Sequence, residues 1–294
     1  MAVHRTPGLP SCARHPDRPT GLRCVRCDRP ACPDCLREAS VGYQCVDCVS
    51  EAQKSTRPAR TVGGARTRTS GAKALVVVPA LIAVNVLVFV ATAIQAQGFD
   101  SLRSGLFLDG MLVPAVVANG EWWRIVTSGF LHYGSYGGFG PVHLIFNMFA
   151  LWVIGRDLEV ALGRARFLVV YGLSLLGGST AVMLFGDEFG SVAGASGAIY
   201  GLFGGIAVVV FKAKLNPAPV LTLLGINIFL SVALPGISLL GHLGGLVAGV
   251  AATAAMVYAP RKRLLQVQVG ACVALAVVLI ALIAIQAAGA DVQW

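Results

Sequence analysis

Seven long apolar segments constrain this chain more than any other feature of its sequence. Each approaches the roughly 20 residues that a helix needs to cross the hydrocarbon core of a bilayer. They lie at residues 74–97, 141–160, 166–186, 192–212, 217–234, 237–259 and 265–288. The first begins too far from the N-terminus to be a cleaved signal peptide. The sequence therefore predicts an all-α membrane domain of seven spans over residues 74–288.

Composition divides the chain into a soluble part and a membrane part. With 56% hydrophobic and only 13% charged residues, the whole argues against a water-soluble enzyme. Residues 1–73, however, carry 13 Lys and Arg against 6 Asp and Glu, and seven of the eight cysteines lie between Cys12 and Cys48. We expect a small head at residues 1–50 and a flexible basic linker at 51–73, which lacks the large apolar side chains of a core.

The head contains four pairs of potential metal ligands, each with two residues between its members. The pairs are Cys12 and His15, Cys24 and Cys27, Cys32 and Cys35, and Cys45 and Cys48. This spacing lets both side chains of a pair reach one tetrahedral ion, so eight ligands suit two structural zinc ions. A disulfide framework is the alternative, but seven thiols and one histidine favour zinc. A segment with almost no aliphatic core also needs bound metal ions to stabilise its fold.

The order of these pairs resembles that of cross-braced B-box-type zinc fingers. In that arrangement the first and third pairs share one ion, and the second and fourth pairs share the other. The resemblance implies one site formed by Cys12, His15, Cys32 and Cys35, and another formed by Cys24, Cys27, Cys45 and Cys48.

Orientation follows from the basic residues of the short loops, which favour the cytoplasmic side. A cytoplasmic N-terminus places eight bases inside and leaves only Arg103 and Arg124 outside. The eight are Arg156, Arg164, Arg166, Lys212, Lys214, Arg261, Lys262 and Arg263. The head then lies in a reducing compartment that keeps its thiols available for metal. The tail from Asp291 to Trp294 lies outside.

Among the polar residues inside predicted spans, where an apolar medium penalises them unless they are paired, four stand out. His143 and Asn147 open the second span, Ser196 opens the fourth, and His242 lies near the start of the sixth. All three spans run from outside to inside in the predicted topology. At about 1.5 Å per residue, the four side chains share a depth of about 3 to 10 Å in the outer part of the membrane.

Glycine stripes run along the spans that carry Ser196 and His242. They comprise Gly197, Gly201 and Gly205 on the fourth span and Gly241, Gly245 and Gly249 on the sixth. Such stripes let two helices approach closely. The approach would bring the Ser196 hydroxyl to the His242 imidazole, as activation of a nucleophile by a general base requires. His143 and Asn147 share one helical face and, with the Ser196 backbone N–H, are candidate donors to an oxyanion.

Residues 75–260 resemble a rhomboid intramembrane serine protease. Motifs in the first loop and in spans two, four and six carry the resemblance. They are Trp123-Arg124, His143-x3-Asn147, Glu159, Gly163, Gly194-Ala195-Ser196-Gly197, Tyr200, His242, Gly245 and Gly249. The resemblance implies a six-helix core, to which the seventh span is an appended C-terminal helix.

The resemblance also implies a role for each site residue, with no catalytic cofactor. Ser196 is the nucleophile and His242 the base, and no aspartate completes a triad. His143, Asn147 and the Ser196 amide form the oxyanion hole, while Tyr200 packs against the His242 ring. The implied activity is hydrolysis of peptide bonds in or near the transmembrane segments of single-span membrane proteins.

The chain departs from the family pattern before the second span. In many rhomboids the histidine equivalent to His132 lies much closer to that of span two, whereas here the Gly-rich segment from Tyr133 to Val142 separates His132 from His143. We interpret the segment as a loop insertion outside the membrane, which leaves the catalytic positions intact and makes a structural role for His132 doubtful.

Two other functions compete with proteolysis. A non-catalytic rhomboid-like protein would bind or escort membrane clients, but inactive relatives typically lack the nucleophile or the base. A transporter or channel would line a path with polar groups, but the outer halves of spans two, four and six contain no carboxylate. Taken singly, a glycine-flanked serine or a lone histidine is more often structural, but the shared depth and the glycine stripes together favour a site.

The head and the location are predicted from charge and composition. Zinc ligands without an open catalytic position indicate a cytoplasmic protein-interaction or regulatory module. Nucleic-acid binding is the second interpretation, although the same basic charge suits attraction to the anionic surface of the lipid bilayer. The Ala, Gly, Val and Arg content suggests a high-GC bacterium, and hence a bacterial plasma membrane. We expect Cys272 to be a buried thiol without chemistry.

Overall fold

A computed structural model describes residues 8–55, 61, 64, 75–134, 141–234 and 236–289. The chain divides into two compact units, Met1–Ala59 and Arg60–Trp294. Most of the predicted linker at 51–73 lies outside the described residues. So do residues 135–140 of the predicted insertion and the predicted tail at 291–294.

The first unit is built around one hairpin and one helix. Strand β1 (Leu36–Glu38) pairs antiparallel with β2 (Tyr43–Cys45), and Leu36 lies opposite Cys45. Helix α1 (Val46–Ser55) follows directly. The buried cluster of this unit consists of cysteines together with Ala31 and Leu36. Potential metal ligands thus occupy the place of an aliphatic core.

Helix α1 extends into the segment that the composition predicts as linker. Asp47 in its first turn and Lys54 in its last turn complement the helix dipole. Glu51, Ala52 and Gln53 between them are good helix formers. A lack of large apolar side chains excludes a core for this segment but permits an exposed polar helix, so residues 51–55 are helical.

The second unit is helical throughout its membrane segments. In chain order its helices are α2 (Val77–Gln95), α3 (Gly105–Leu108), α4 (Pro114–Ala118), α5 (Arg124–Thr127), α6 (Val142–Ala150), α7 (Arg156–Leu162), α8 (Arg164–Phe185), α9 (Ser196–Lys212), α10 (Ala218–Ala233), α11 (Leu239–Val257) and α12 (Leu264–Gly289). Helices α2 and α8 to α12 occupy six of the seven predicted spans. The remaining one, span two, is formed by α6 and α7 joined through a π-helical turn at Leu151–Gly155.

Four helical stretches in the described residues are long and apolar enough to cross a membrane. They are α2, α8, α11 and the stretch Arg261–Gly289, which contains α12. Helices α9 and α10 are apolar but shorter. The predicted fold class is therefore confirmed: a small head with metal-ligand clusters precedes an all-α membrane domain of six helices and a seventh C-terminal one.

Glu159 ties α7 to the beginning of α2. Its carboxylate is 4% exposed and accepts the backbone N–H groups of Val76, Val77 and Val78 at 3.1, 3.2 and 2.9 Å. These N–H groups have no partner inside their own helix, and the helix dipole favours a negative charge there. Glu159 is therefore a structural tie at the end of span two, as the sequence predicts.

The loop after α2 is organised by Arg124. Its guanidinium pairs with Glu121 at 2.6 Å and donates to the carbonyl oxygens of Leu108 and Met111. Arg124 is 6% exposed, whereas Trp122 and Trp123 are 43% and 52% exposed. The two tryptophans are thus exposed, as residues that anchor a protein at the membrane interface are. Arg124 is buried and stabilises the loop from within.

Helices α8, α9 and α11 pack through glycine. A Cβ atom on Gly245 would collide with the carbonyl oxygen of Gly197, and one on Gly249 would collide with that of Gly201. On the other side of α11, a Cβ on Gly244 would collide with the carbonyl oxygen of Gly177 in α8. The close approach that the glycine stripes predict is present, with backbone lying against backbone.

This packing predicts the effect of a single methyl group. Gly245→Ala forces α11 away from α9, and overpacking of this kind destabilises a protein by about 1 to 3 kcal/mol. The unfolding temperature in detergent should fall accordingly. Gly172→Ala in α8 is the matched control, because nothing lies within 4 Å of the Cβ position there. Equal unfolding temperatures for the two variants would contradict the packing argument.

Candidate active site and metal centres

Ser196 and His242 form a hydrogen bond between α9 and α11. The Ser196 Oγ lies 2.7 Å from the His242 Nε2. Ser196 is the first residue of α9, and His242 lies in the first turn of α11. The Ser238 hydroxyl accepts the Gly241 backbone N–H at 3.1 Å and so caps the start of α11. The helix contact through glycine therefore sets the distance between the two reactive atoms.

Two further side chains hold the His242 ring. Tyr200, one turn after Ser196, stacks on it with ring centroids 4.0 Å apart and an interplanar angle of 14°. Ser231 of α10 lies with its Oγ 2.8 Å from the His242 Nδ1 and 2.6 Å from the Tyr200 hydroxyl. The stack is where the resemblance implied it. Ser231 was missed by sequence reasoning, because a single serine on an apolar helix gives no local signal of what it faces.

His143 lies on the other side of Ser196, against Gly194. A Cβ on Gly194 would meet the His143 ring at 3.0 and 3.2 Å and the Ser196 Oγ at 3.5 Å. Gly194 also has a φ of +144°, which favours glycine. The position therefore requires glycine for both its conformation and its space, and the absent side chain leaves His143 next to Ser196.

Asn147 and His132 surround His143. The Asn147 Nδ2 donates to the His143 carbonyl oxygen at 2.8 Å, one turn earlier in α6, which uses one of the two amide hydrogens. The His132 ring is fully buried, with its centroid 5.2 Å from that of His143. Despite the long segment between them, His132 thus packs beside His143 at the edge of the site.

A cavity opens at the dyad between the first loop, α8, α9 and α11. Ser196 and His242 line it together with Ser128, Ser179, Gly194 and Ser238. The hydroxyl groups in its lining make the cavity compatible with water. A serine and a histidine facing such a cavity provide a nucleophile and a base within reach of a substrate carbonyl.

The eight predicted ligands of the head form two clusters. One contains Cys12, His15, Cys32 and Cys35, and the other contains Cys24, Cys27, Cys45 and Cys48, with the ligand atoms of each within 4.8 Å of one another. In the first, the His15 Nδ1 lies 3.9, 3.4 and 3.3 Å from the three sulfur atoms. Ligands about 2.0 to 2.3 Å from a common centre have such separations in a tetrahedron. The clusters fit metal ions and follow the pairing that the B-box resemblance implies.

Backbone hydrogen bonds favour the thiolate form of Cys12 in the first cluster and of Cys24 and Cys27 in the second. The hydrogen bond with the Cys32 backbone lowers the pKa of Cys12 to about 6. Burial raises the pKa of Cys24, but hydrogen bonds with the backbones of Cys45, Cys27 and Arg26 outweigh it and bring the value to about 6. Burial raises the pKa of Cys35 to about 11, and the hydrogen bond with Cys27 raises that of Cys48 to about 12. Because metal ligands must be deprotonated, binding of a metal ion releases protons from these thiols.

Comparison with known proteins places the site within a described domain. A family model for the rhomboid domain matches residues 119–259, a range that contains Ser196, His242, His143 and Asn147. The head and α12 lie outside the match.

Three curated relatives carry rhomboid protease names. The chain is 33% identical over 180 residues to Rhomboid protease GluP of Bacillus subtilis (strain 168), which covers 60% of this chain and 34% of GluP. It is 37% identical over 139 residues to Putative rhomboid protease YdcA of the same organism, covering 45% of this chain and 66% of YdcA. It is 28% identical over 216 residues to Rhomboid protease AarA of Providencia stuartii, covering 62% and 73%. The chain thus spans only about a third of GluP and about two thirds of YdcA.

The cluster geometry predicts the metal content of the head. The purified full-length chain should contain two divalent ions per molecule by inductively coupled plasma mass spectrometry. His15→Ala should lower the count to about one, because three ligands remain in one cluster and four in the other. Cys272→Ser, far from both clusters in sequence, should keep two. Metal-free protein with oxidised cysteines would instead support disulfides.

Proposed function

Because the chain belongs to the rhomboid family, and because its Ser196 and His242 are hydrogen-bonded, we propose that it is an intramembrane serine endopeptidase. The observation that carries the proposal is the 2.7 Å separation of the Ser196 Oγ and the His242 Nε2. This is the distance at which a base can take a proton from a hydroxyl as that hydroxyl attacks a carbonyl. The chain is an integral membrane protein, so the peptide bonds it cuts lie in or near transmembrane segments.

The reaction proceeds in two steps through an acyl-enzyme. The Ser196 Oγ attacks the substrate carbonyl carbon while the His242 Nε2 accepts the hydroxyl proton. The resulting tetrahedral intermediate collapses when the C–N bond breaks and His242 gives the proton to the leaving amine. Water from the cavity then attacks the ester, with His242 again taking and returning one proton. No cofactor takes part in this chemistry.

The developing oxyanion is stabilised from the side of Ser196 that faces α6. The backbone N–H of Ser196 belongs to the first turn of α9, where such groups have no partner inside the helix and the dipole favours negative charge. The His143 ring beside Gly194 and the second amide hydrogen of Asn147 supply further donors. His242, His143, Asn147 and Ser196 are therefore the proposed catalytic residues.

The substrates are single-span membrane proteins, cut near the outer face of a bacterial plasma membrane. In this proposal residues 1–50 form a cytoplasmic head with two structural zinc ions, 51–73 a basic linker and 74–288 the protease domain. Four protein ligands in each cluster would leave no open coordination position on the ion. This suits a structural module that binds a cytoplasmic protein partner rather than a second catalytic centre. Nucleic acid is not among the proposed partners.

Activity should depend on both members of the dyad. Ser196→Ala and His242→Ala should each lower kcat for a single-span reporter at least about 10⁴-fold, since the nucleophile and the base act as a unit. The measurement is reporter cleavage by purified protein in detergent. Ser174→Ala is the matched control, because it removes a buried serine hydroxyl that bonds only to the Val170 carbonyl oxygen of its own helix. Near wild-type cleavage by either dyad variant would refute the assignment.

Topology can be tested without any substrate. With the N-terminus in the cytoplasm, alkaline phosphatase fused after Trp294 should be active, and the same enzyme fused after Lys214 should be inactive. The expectation rests on the basic residues of the loops, which favour the cytoplasmic side. The opposite pattern of activities would invert the proposed orientation and place the cut at the inner face.

A further inference from the structure

Ser231 connects α10 to the site through hydrogen bonds. Of the residues of α10, all of which the structure describes, Ser231 alone is buried. It is 5% exposed, yet its side chain is polar and small. A buried hydroxyl in an apolar helix needs hydrogen-bond partners, and here those partners include His242.

Ser231 has three hydrogen-bond partners in the site. Its Oγ lies 2.8 Å from the carbonyl oxygen of Asn227, 2.8 Å from the His242 Nδ1 and 2.6 Å from the Tyr200 hydroxyl. The carbonyl can only accept, so in its contact with Ser231 the hydroxyl is the donor. The two lone pairs of the Oγ then accept from Tyr200 and from the His242 Nδ1. With the Ser231 hydrogen on the Asn227 carbonyl oxygen, the His242 Nδ1 can bond to the Ser231 Oγ only as a donor, so this arrangement places hydrogen on Nδ1.

We propose that Ser231 is a positioning residue that fixes His242 as the Nδ1–H tautomer. A neutral imidazole with its hydrogen on Nδ1 has a free lone pair on Nε2, which is the atom that faces Ser196. The opposite tautomer carries hydrogen on Nε2 and cannot accept the Ser196 proton. This role rests on the proposed function, in which His242 is the base.

Ser231 and Tyr200 constrain different motions of the same ring. The stack with Tyr200 fixes the plane of the imidazole but leaves it free to rotate within that plane. The hydrogen bond from Nδ1 to Ser231 fixes that rotation, because it specifies which ring atom faces α10. Together they leave one orientation and one tautomer, so an uncharged hydroxyl serves where a carboxylate orients the histidine of a serine protease triad.

The test measures the tautomer directly and activity separately. The full chain is labelled with ¹⁵N-histidine, and the His242 signals are identified by their absence from His242→Ala. The Nδ1 and Nε2 shifts of His242 are then compared in the wild type, Ser231→Ala, Ser231→Thr and the control Ser174→Ala. Thermal unfolding of each variant in detergent shows that it is folded, and cleavage of the reporter gives kcat.

We expect the Nδ1–H form in the wild type, in Ser231→Thr and in Ser174→Ala, and a mixture of tautomers in Ser231→Ala. Loss of one neutral hydrogen bond to the base should lower kcat of Ser231→Ala about tenfold, with Ser231→Thr restoring most of it. An Nε2–H signal in the wild type would overturn the inference. An unchanged tautomer in Ser231→Ala would overturn it also, whatever happens to kcat.

The two proposals can fail independently. If the wild type cleaves no reporter but its His242 tautomer depends on Ser231, the control of the tautomer by Ser231 stands and the protease assignment fails. If cleavage depends on Ser196 and His242 but the His242 tautomer is unchanged in Ser231→Ala, the protease assignment stands and the positioning role fails.

Discussion

The contact between the backbones of α9 and α11 is the interaction on which the site depends. Gly197 and Gly201 meet Gly245 and Gly249 with no side chain between them, so dispersion between two backbones holds the helices together. Ser196 adjoins this contact, and any widening of it separates the Ser196 Oγ from the His242 Nε2. Residues without side chains thus set the distance between the two residues whose side chains react.

Local periodicity explains which parts of this arrangement could be predicted from sequence. Glycine at every fourth position marks one face of a helix, and two residues between metal ligands fix how far apart two ligand atoms can lie. Both relations involve residues that are only a few positions apart in the chain. They therefore predicted that Ser196 and His242 approach each other, and that the ligands of the head cluster around common centres.

Features that depend on distant segments were not predictable in this way. Ser231 belongs to an apolar helix, and nothing near it in sequence indicates that it contacts His242. The π-helical turn at Leu151–Gly155 lies in an apolar run that reads as one continuous span. The helicity of residues 51–55 arises from polar helix formers, which a search for apolar periodicity does not register. Apolar periodicity along the chain reflects none of these three features.

An apolar medium tolerates a hydroxyl better than a carboxylate as the hydrogen-bond partner of a histidine. A carboxylate inside the membrane costs up to about 2.5 to 3.5 kcal/mol to insert, and it needs a counter-charge or water. Ser231 carries no charge, and Tyr200, His242 and the Asn227 carbonyl occupy all of its hydrogen-bonding positions. A neutral hydrogen bond is weaker than a charged one, so it stabilises a developing imidazolium less. The base is therefore oriented without the buried charge that a carboxylate would add.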